Sequence, residues 1–357
     1  LPSEINGIIS HYGHLKGLEI PQQKNLSIQP YATYGNTEYN NLYYQYNSLG
    51  TLDFDQGLSK YGYNNFNSRF GADIVYSPNN YLSLEYALNP DFGQVEQDPS
   101  QINFTGFEIY YDEKRPFFNS NQIVFDTPIE IFYSKRIGDN IYLNNYNYET
   151  NINHAIKFSG TKPGGFLYAV LMAKSSIDIN DDIMTDKQIN AVVSRLRKNI
   201  LNESSYVGIM NTFYKDFRDE SNILSFDGMF GLLDNKFKID GQVVLSELES
   251  SKLEKGYSYE VSYTDKISRG FLDDNIVDIW INHEKYSRLL DINYLGYLKR
   301  NDLKKHHYGI ALSKQVNGNH IKDYSFNIQN LISKNIKGVI IDKDISLNIL
   351  TSYINNM

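Results

Sequence analysis

Acidic and basic side chains are concentrated in one stretch of the sequence, which runs from Ala87 to Gly138. The seven that could bind a ligand or gate a passage are Asp91, Glu96, Asp98, Glu108, Glu113, Lys114 and Arg115. Two carboxylates at a suitable separation are what glycoside hydrolysis requires, and carboxylate oxygens also bind hard cations such as calcium. No EF-hand pattern is present. The sequence therefore predicts a ligand-binding or gating site here and leaves catalysis as an alternative.

Charge pairing favours a structural role for the same cluster. Buried charges are costly unless they are paired, so Glu113, Lys114 and Arg115 could pin this stretch to inward-facing residues elsewhere in the chain. The available partners on alternating segments are Arg69, Asp73, Glu85, Arg195 and Arg197. We expect such a paired network to be the main role of the charged residues.

The rest of the sequence offers little other chemistry. Its seven histidines lack the spacing of a zinc site, and no nucleophile elbow or phosphate-binding loop occurs. Cysteine is absent, which excludes disulfides, thiolate metal sites and a cysteine nucleophile. We therefore predict no metal site and no cofactor, and an enzymatic function is not favoured.

Composition narrows the class of protein. The 357 residues include 34 basic and 42 acidic side chains, a net charge of -8. Because nucleic-acid binding needs a basic surface, this charge argues against such a partner. Tyrosine is abundant, with 30 residues, and it is typical of strands and of membrane–water boundaries. The longest apolar run, residues 166–173, is far shorter than the roughly 18–20 residues of a membrane helix.

Period-two alternation dominates the chain and predicts strands. The clearest alternating segments are residues 26–34, 66–76, 82–88, 156–159, 166–173, 224–232, 237–245, 257–263, 277–281, 308–312 and 324–328. Turn residues separate them at 77–80, 162–165, 234–235 and 317–318. Only residues 183–200 leave helix and strand open. Roughly fourteen to sixteen strands predict an all-β antiparallel up-and-down meander, which is either a transmembrane β-barrel or a stacked soluble β protein.

The predicted organisation has three parts. Residues 1–25 form an N-terminal lead-in segment without a signal-peptide pattern, and residues 26–357 form the β-barrel. Residues 89–138 are a polar insert, because prolines at 90, 99 and 116 break strand pairing. Within it, residues 102–111 and 129–133 alternate well enough to be strands. We expect the insert to fold into the barrel as a plug or to line its mouth.

Three ordered motifs carry a family resemblance. They are NPDFGQVEQDP at 89–99, EKRPFF at 113–118 and YSKRIG at 133–138. With later segments at 195–197, 206–208 and 295–302, they resemble the signature of an uncharacterised family of bacterial outer-membrane β-barrel proteins, over roughly residues 14–315 of this chain. In that family the barrel commonly follows a family 9 carbohydrate-binding module, which is absent from this sequence.

Two departures from the family pattern are visible. Asn119, Ser120 and Asn121 replace a Leu-Glu-Gly-like turn, and Lys135 stands at an arginine position. The chain also ends TSYINNM, without the terminal aromatic residue that is typical of a barrel's last strand, which suggests a barrel that is incomplete at the C-terminus.

The resemblance implies a location and a broad role. It implies the outer membrane of a Gram-negative bacterium, contact with membrane lipid, and handling or passage of a glycan or similar solute at the cell surface. Two alternatives remain open: a membrane-associated hydrolase that uses carboxylates of residues 91–113, and a non-transporting scaffold that binds periplasmic or surface proteins.

Overall fold

A computed structural model describes most of the chain. The described residues are 25–43, 59–90, 103–143, 146–148, 150–177, 187–248, 253–270, 272–316 and 321–353. Nearly all of the predicted lead-in segment and the predicted turn at 317–318 lie outside these ranges.

Strands dominate the described residues. They are β1 (Asn25–Tyr43), β2 (Ser59–Asn79), β3 (Leu82–Leu88), β4 (Ile141–Leu143), β5 (Tyr146–Tyr148), β6 (Thr150–Lys162), β7 (Phe166–Ile177), β8 (Gln188–Asn199), β9 (Tyr206–Lys215), β10 (Glu220–Leu232), β11 (Phe237–Leu248), β12 (Glu254–Lys266), β13 (Ile276–Tyr286), β14 (Leu303–Gln315), β15 (Ile321–Lys334) and β16 (Ile340–Tyr353). Helix is limited to α1 (Pro116–Asn119) and two 3-10 turns, Gln122–Phe125 and Ser134–Arg136. None of the helices in the described ranges is long and apolar enough to cross a membrane.

Fourteen of the strands form one antiparallel up-and-down sheet. Each strand pairs with the next along the chain, except that β3 pairs directly with β6. The short hairpin of β4 and β5 lies outside this sheet. The prediction of an all-β antiparallel meander is confirmed, and the ambiguous residues 183–200 contain strand β8.

Two predicted strands in the insert are wrong. Residues 103–111 and 129–133 form no strand, because their backbone groups bond to loops and side chains instead of a strand partner. The Tyr133 amide donates to the Leu295 carbonyl (2.6 Å), and the Tyr111 amide donates to the Tyr133 hydroxyl (3.1 Å). Alternation alone therefore does not make a strand where no sheet edge is available.

Tight turns form where small or polar residues adopt a left-handed backbone. Gly164 and Gly165, with φ of +85° and +72°, connect β6 to β7. Asp234 and Asn235, with φ of 55° and 65°, connect β10 to β11. Glycine, asparagine and aspartate tolerate this conformation better than other residues, so the turn predictions at 162–165 and 234–235 are confirmed.

The distribution of polar and apolar side chains on the two faces of the sheet is the reverse of that in a protein with an apolar core. In β6, Lys157 and Ser159 are buried while Ile156 and Phe158 are exposed. In β10, Asp227 is buried while the neighbouring Phe226 is 49% exposed. The covered inner face is thus rich in polar and small residues, and the exposed outer face is apolar.

The last strand extends the exposed apolar surface. In β16, Ile345, Leu347 and Ile349 are exposed and share one face, which register pairing makes continuous with Phe326 and Ile328 of β15. Within the described residues, β1 and β16 do not pair with each other. Among the described residues, the last strand thus carries the apolar outer face to one end of the sheet.

The two ends of the strands differ in their connections. At one end, here called the turn end, residues 80–81, 163–165 and 233–236 connect neighbouring strands, and β1 begins and β16 finishes there. At the opposite end, the loop end, the connections include residues 89–149 and 287–302. The insert therefore leaves and rejoins the sheet at the loop end.

A buried ion pair crosses one strand of the inner face. The guanidinium of Arg195 in β8 binds the carboxylate of Asp227 in β10, with side chains 1% and 0% exposed. It passes over Gly208 of β9, where a Cβ atom would lie 2.7 Å from the guanidinium. The absence of a side chain at Gly208 is what opens this path.

Replacing Arg195 with Met should destabilise the fold by about 3–5 kcal/mol, because the buried Asp227 carboxylate loses its partner. The double variant Arg195→Met, Asp227→Leu should recover most of that loss, since no unpaired charge remains. Urea unfolding of both variants measures the difference. Equal destabilisation by the single and double variants would show that an unpaired Asp227 charge is not the cause of the lost stability.

Candidate functional site

The insert is anchored to the inner face of the sheet by one lysine. The Nζ of Lys157 in β6 donates to the carbonyls of Phe117 and Ser120, both at 2.5 Å, and pairs with Glu85 of β3 at 3.0 Å. The Glu85 carboxylate also accepts from the Ser120 hydroxyl at 3.1 Å. Because Lys157 and Glu85 are both buried, this anchor satisfies two costly charges and two backbone carbonyls at once.

A second anchor lies several strands away. The Ile129 amide donates to the side-chain carbonyl of Gln242 in β11 at 2.5 Å. Pro128 and Ile129 also share a cavity of about 580 Å³ with residues of β13 to β16, among them Tyr286 and Ile341. Residues 117–130 therefore bond to β3, β6 and β11 and line a cavity with β13 to β16.

The EKRPFF and YSKRIG segments form one structural unit. Arg115 binds the Glu113 carboxylate through Nε (2.9 Å) and Nη2 (2.7 Å), and donates to the carbonyls of Ile137 and Ser134, each at 2.7 Å. The Ser134 hydroxyl donates to Glu113 at 2.6 Å. The guanidinium also lies 4.2 Å from the centre of the Phe118 ring. We call Glu113, Arg115 and Ser134 the knot.

The knot fixes the ionisation of Glu113. Burial alone would raise the pKa of this carboxyl, but the hydrogen bonds and charge of Arg115 and the Ser134 hydroxyl outweigh it and hold the pKa below its usual range. Glu113 is therefore held as a charged group, and both of its oxygens accept hydrogen bonds from Arg115 or Ser134.

The long connection between β13 and β14 packs against the insert. The Tyr297 amide donates to the Glu130 carbonyl at 2.8 Å, and the rings of Tyr110, Tyr133 and Tyr297 lie 4.9–5.6 Å apart. A Cβ atom on Gly296 would lie 2.7 Å from the Glu130 carbonyl oxygen. The two segments approach so closely that only glycine fits there.

An open cavity of about 830 Å³ lies beside the anchors. Its lining residues are Tyr110, Asn119, Asn121, Gln122, Ile123, Phe125, Asp126, Thr127, Pro128, Glu130 and Phe132. Side-chain amides, two carboxylates and aromatic rings thus face one space. This set can donate to and accept from hydroxyl groups while the rings cover apolar faces.

The two cavity carboxylates hold their protons more tightly than usual. Burial raises the pKa of Asp126. Burial also raises the pKa of Glu130, and the charge of Asp126 adds to this, although the Tyr110 hydroxyl, which donates at 2.8 Å, opposes it. Asp126 and Glu130 both line the cavity, so two carboxylates face the same space.

The predicted site residues do not lie together in the structure. Three of them lie outside the described residues: Asp91, Glu96 and Asp98. Glu113 and Arg115 meet in the knot, whereas Glu108 pairs with Arg136 at 2.5 Å. Lys114 is half-buried beside the knot. Asp126 and Glu130 line the cavity, whereas Glu108 and Glu113 do not.

Glu85, one of the predicted inward partners, helps to hold the insert, and it does so through Lys157 and the Ser120 hydroxyl. Glu113 and Arg115 bind each other and the insert's own backbone, while Arg195 binds Asp227 within the sheet and Arg197 stacks on Tyr206. Lys157 was missed. Its place between Ala155 and Ser159 on the alternating inner face was the available signal. Within the described ranges, no group of three or more histidine, aspartate or glutamate side chains could hold a metal ion.

Replacing Glu113 with Gln should destabilise the insert by about 1.5–3 kcal/mol, because Arg115 loses charge-assisted hydrogen bonds. Amide hydrogen exchange over residues 113–138 measures this. The control is Glu108→Gln, whose side chain is 47% exposed and whose loss should stay under about 1 kcal/mol. Similar effects of the two changes would contradict the knot.

The same carboxyl predicts a pH dependence. Since the folded pKa of Glu113 is depressed, its contribution is complete above the ordinary glutamate pKa of about 4.3 and is lost as pH falls through the folded value. Exchange protection in the wild type should therefore drop in strongly acidic solution. Glu113→Gln should lack this component, and an unchanged acid response would refute the assignment.

Comparison with known proteins gives a family but no activity. A family model described as a domain of unknown function (DUF5916) matches residues 26–356, which include every strand of the fourteen-stranded sheet except the first residue of β1. No curated protein matches this sequence. The match spans nearly the whole sheet and the insert, and the chain belongs to the DUF5916 family.

Proposed function

We propose that this protein is an outer-membrane β-barrel whose interior is occupied by the insert, and that it handles or passes a glycan or similar solute at the cell surface. The observation that carries the proposal is the reversal of the two faces of the sheet. Apolar residues such as Phe226 (49% exposed) and Ile281 (52% exposed) face outward, while Lys157, Arg195 and Asp227 are buried inside. A bilayer stabilises an apolar exterior, and a barrel tolerates a polar interior.

Strand length supports a membrane-spanning role. A tilted strand needs about 9–11 residues to cross the hydrocarbon core, and β6 to β16 run from 10 to 14 residues. Within a bilayer, backbone groups at an open edge have no water to bind. The even number of fourteen strands lets β1 and β16 close the sheet in antiparallel fashion.

The connections support an orientation. Barrels of this kind have short periplasmic turns and longer extracellular loops. We therefore assign the turn end to the periplasm and the loop end, which carries residues 89–149 and 287–302, to the cell surface. The insert then enters the barrel from outside.

The cavity beside the anchors supports the choice of solute. Sugars present many hydroxyl groups and flat apolar faces, and the amides, Asp126, Glu130 and the rings of Phe125 and Phe132 match both. We assign this cavity as the solute-binding site. The anchors at Lys157 and Gln242 hold it in place inside the barrel.

Removing the insert should open a conducting pore. Because β3 and β6 are already paired, and the Asn89 amide donates to the Asn153 carbonyl at 2.7 Å, a short Gly-Ser turn can replace residues 91–149. In planar bilayers the wild type should be closed and the deletion variant should conduct ions. If the deletion variant folds as a heat-modifiable barrel and does not conduct, the transport proposal is wrong.

Removing the two cavity carboxylates should weaken solute binding. We expect Asp126→Asn with Glu130→Gln to lower the affinity for a neutral oligosaccharide such as maltohexaose by about 10–100-fold, as expected from lost charge-assisted hydrogen bonds. Calorimetry on the folded protein measures this, with Glu203→Gln and Asp234→Asn at the turn end as the matched control. Binding that the cavity variant leaves unchanged would refute the assignment, and release of new reducing ends by the wild type would favour a hydrolase.

A further inference from the structure

Five lysines cluster on the outer face of the sheet at the loop end. They are Lys255, Lys285, Lys304, Lys334 and Lys343, and we call them the basic patch. The strand register shows which face they occupy. Lys255 lies opposite Leu245, which shares a face with Val243 because the two are two residues apart in β11, and Val243 is 47% exposed. Lys343 shares its face with Ile345 and Leu347.

Three of these lysines stand in one row across neighbouring strands. Lys285 of β13 lies directly opposite Lys304 of β14, which lies directly opposite Lys334 of β15. Like charges directly opposite each other are destabilising in a sheet. An anion that lies against the row would remove this repulsion.

No salt bridge within the described residues neutralises the patch. The acidic neighbours of Lys285 and Lys343 in the chain are Glu284, Asp342 and Asp344, and strand alternation places them on the inner face. There Glu284 binds Lys305 at 2.8 Å. Lys304 donates to the Ile336 carbonyl at 3.3 Å, which satisfies a donor and leaves the charge uncompensated.

The patch lies at the margin of the apolar band. The next row toward the middle of the sheet contains Tyr259, His283 and His306, with the two imidazole rings 4.3 Å apart. Beyond it come Ile279 and Ile310, both exposed. Lysines placed here can bury their carbon chains against the apolar band and hold their charged ends at the level of lipid headgroups.

We propose that the basic patch binds phosphate groups of lipid headgroups in the leaflet that surrounds the loop end. A lysine ammonium binds phosphate as a point charge, and a cluster of basic residues beside an apolar surface is the arrangement that anionic headgroups select. The net charge of the protein is -8, so this attraction is local and does not come from a generally basic surface. The inference rests on the proposed membrane location.

The test compares two triple variants of the full chain. Lys285→Gln, Lys304→Gln, Lys334→Gln neutralises the row, and Lys162→Gln, Lys198→Gln, Lys238→Gln removes the same charge at the turn end. Each delipidated protein is titrated with phosphatidic acid in mixed micelles, and bound lipid is counted by native mass spectrometry. We expect the row variant to bind about a hundredfold more weakly than the wild type, and the control to bind as the wild type does.

Three results would overturn the inference. Equal binding by the two variants would show that the row is not the site. Displacement of phosphatidic acid by millimolar inorganic phosphate would assign the patch to a free anion. Failure of the wild type to insert into phosphatidylcholine vesicles would contradict the membrane location itself. Insertion is measured separately, by heat modifiability, so this outcome is distinguishable from the loss of the lipid site alone.

Discussion

Polar side chains on the inner face of the sheet need hydrogen-bond partners, and most of the architecture follows from how they obtain them. Within the sheet, Arg195 reaches over Gly208 to Asp227. Elsewhere the insert supplies the partners: Lys157 binds two of its carbonyls, and Gln242 accepts from its Ile129 amide. A buried charge or amide without a partner is strongly destabilising. The sheet and the insert therefore each supply hydrogen-bond partners to the other, and water would have to replace those of the insert in its absence.

The motifs that carry the family resemblance have a structural role in the insert. The EKRPFF and YSKRIG segments meet in the knot of Glu113, Arg115 and Ser134, where every charge is bonded. Gly296 lets the β13–β14 connection come within contact of Glu130. These residues shape the insert, and the groups left for ligand chemistry are Asp126 and Glu130 at the cavity. The recognisable motifs and the candidate binding site are thus neighbours with different roles.

Sequence reasoning reached the strands because their side chains repeat every two residues, a local signal that needs no partner to be visible. It missed Lys157 as the anchor because that role depends on Phe117 and Ser120, about forty positions earlier in the chain. It predicted strands at 129–133 because alternation does not report whether a strand edge is available. The positions of carboxylates around a cavity are likewise set by the folded chain, so the placement of Asp126 and Glu130 on one cavity could not be read from spacing.

The most direct test of the account is the environment of adjacent residues on one strand. Since the chain has no cysteine, single nitroxide labels can be placed at Ile328→Cys on the outer face and Asn327→Cys on the inner face of β15, in protein reconstituted into vesicles. If the reversed sheet lies in a membrane, the label at 328 collides with oxygen dissolved in the lipid and is shielded from a water-soluble nickel chelate, while the label at 327 shows no lipid exposure. Equal access of the nickel chelate to both labels, or lipid exposure at 327 in place of 328, would contradict the reversed sheet in a membrane.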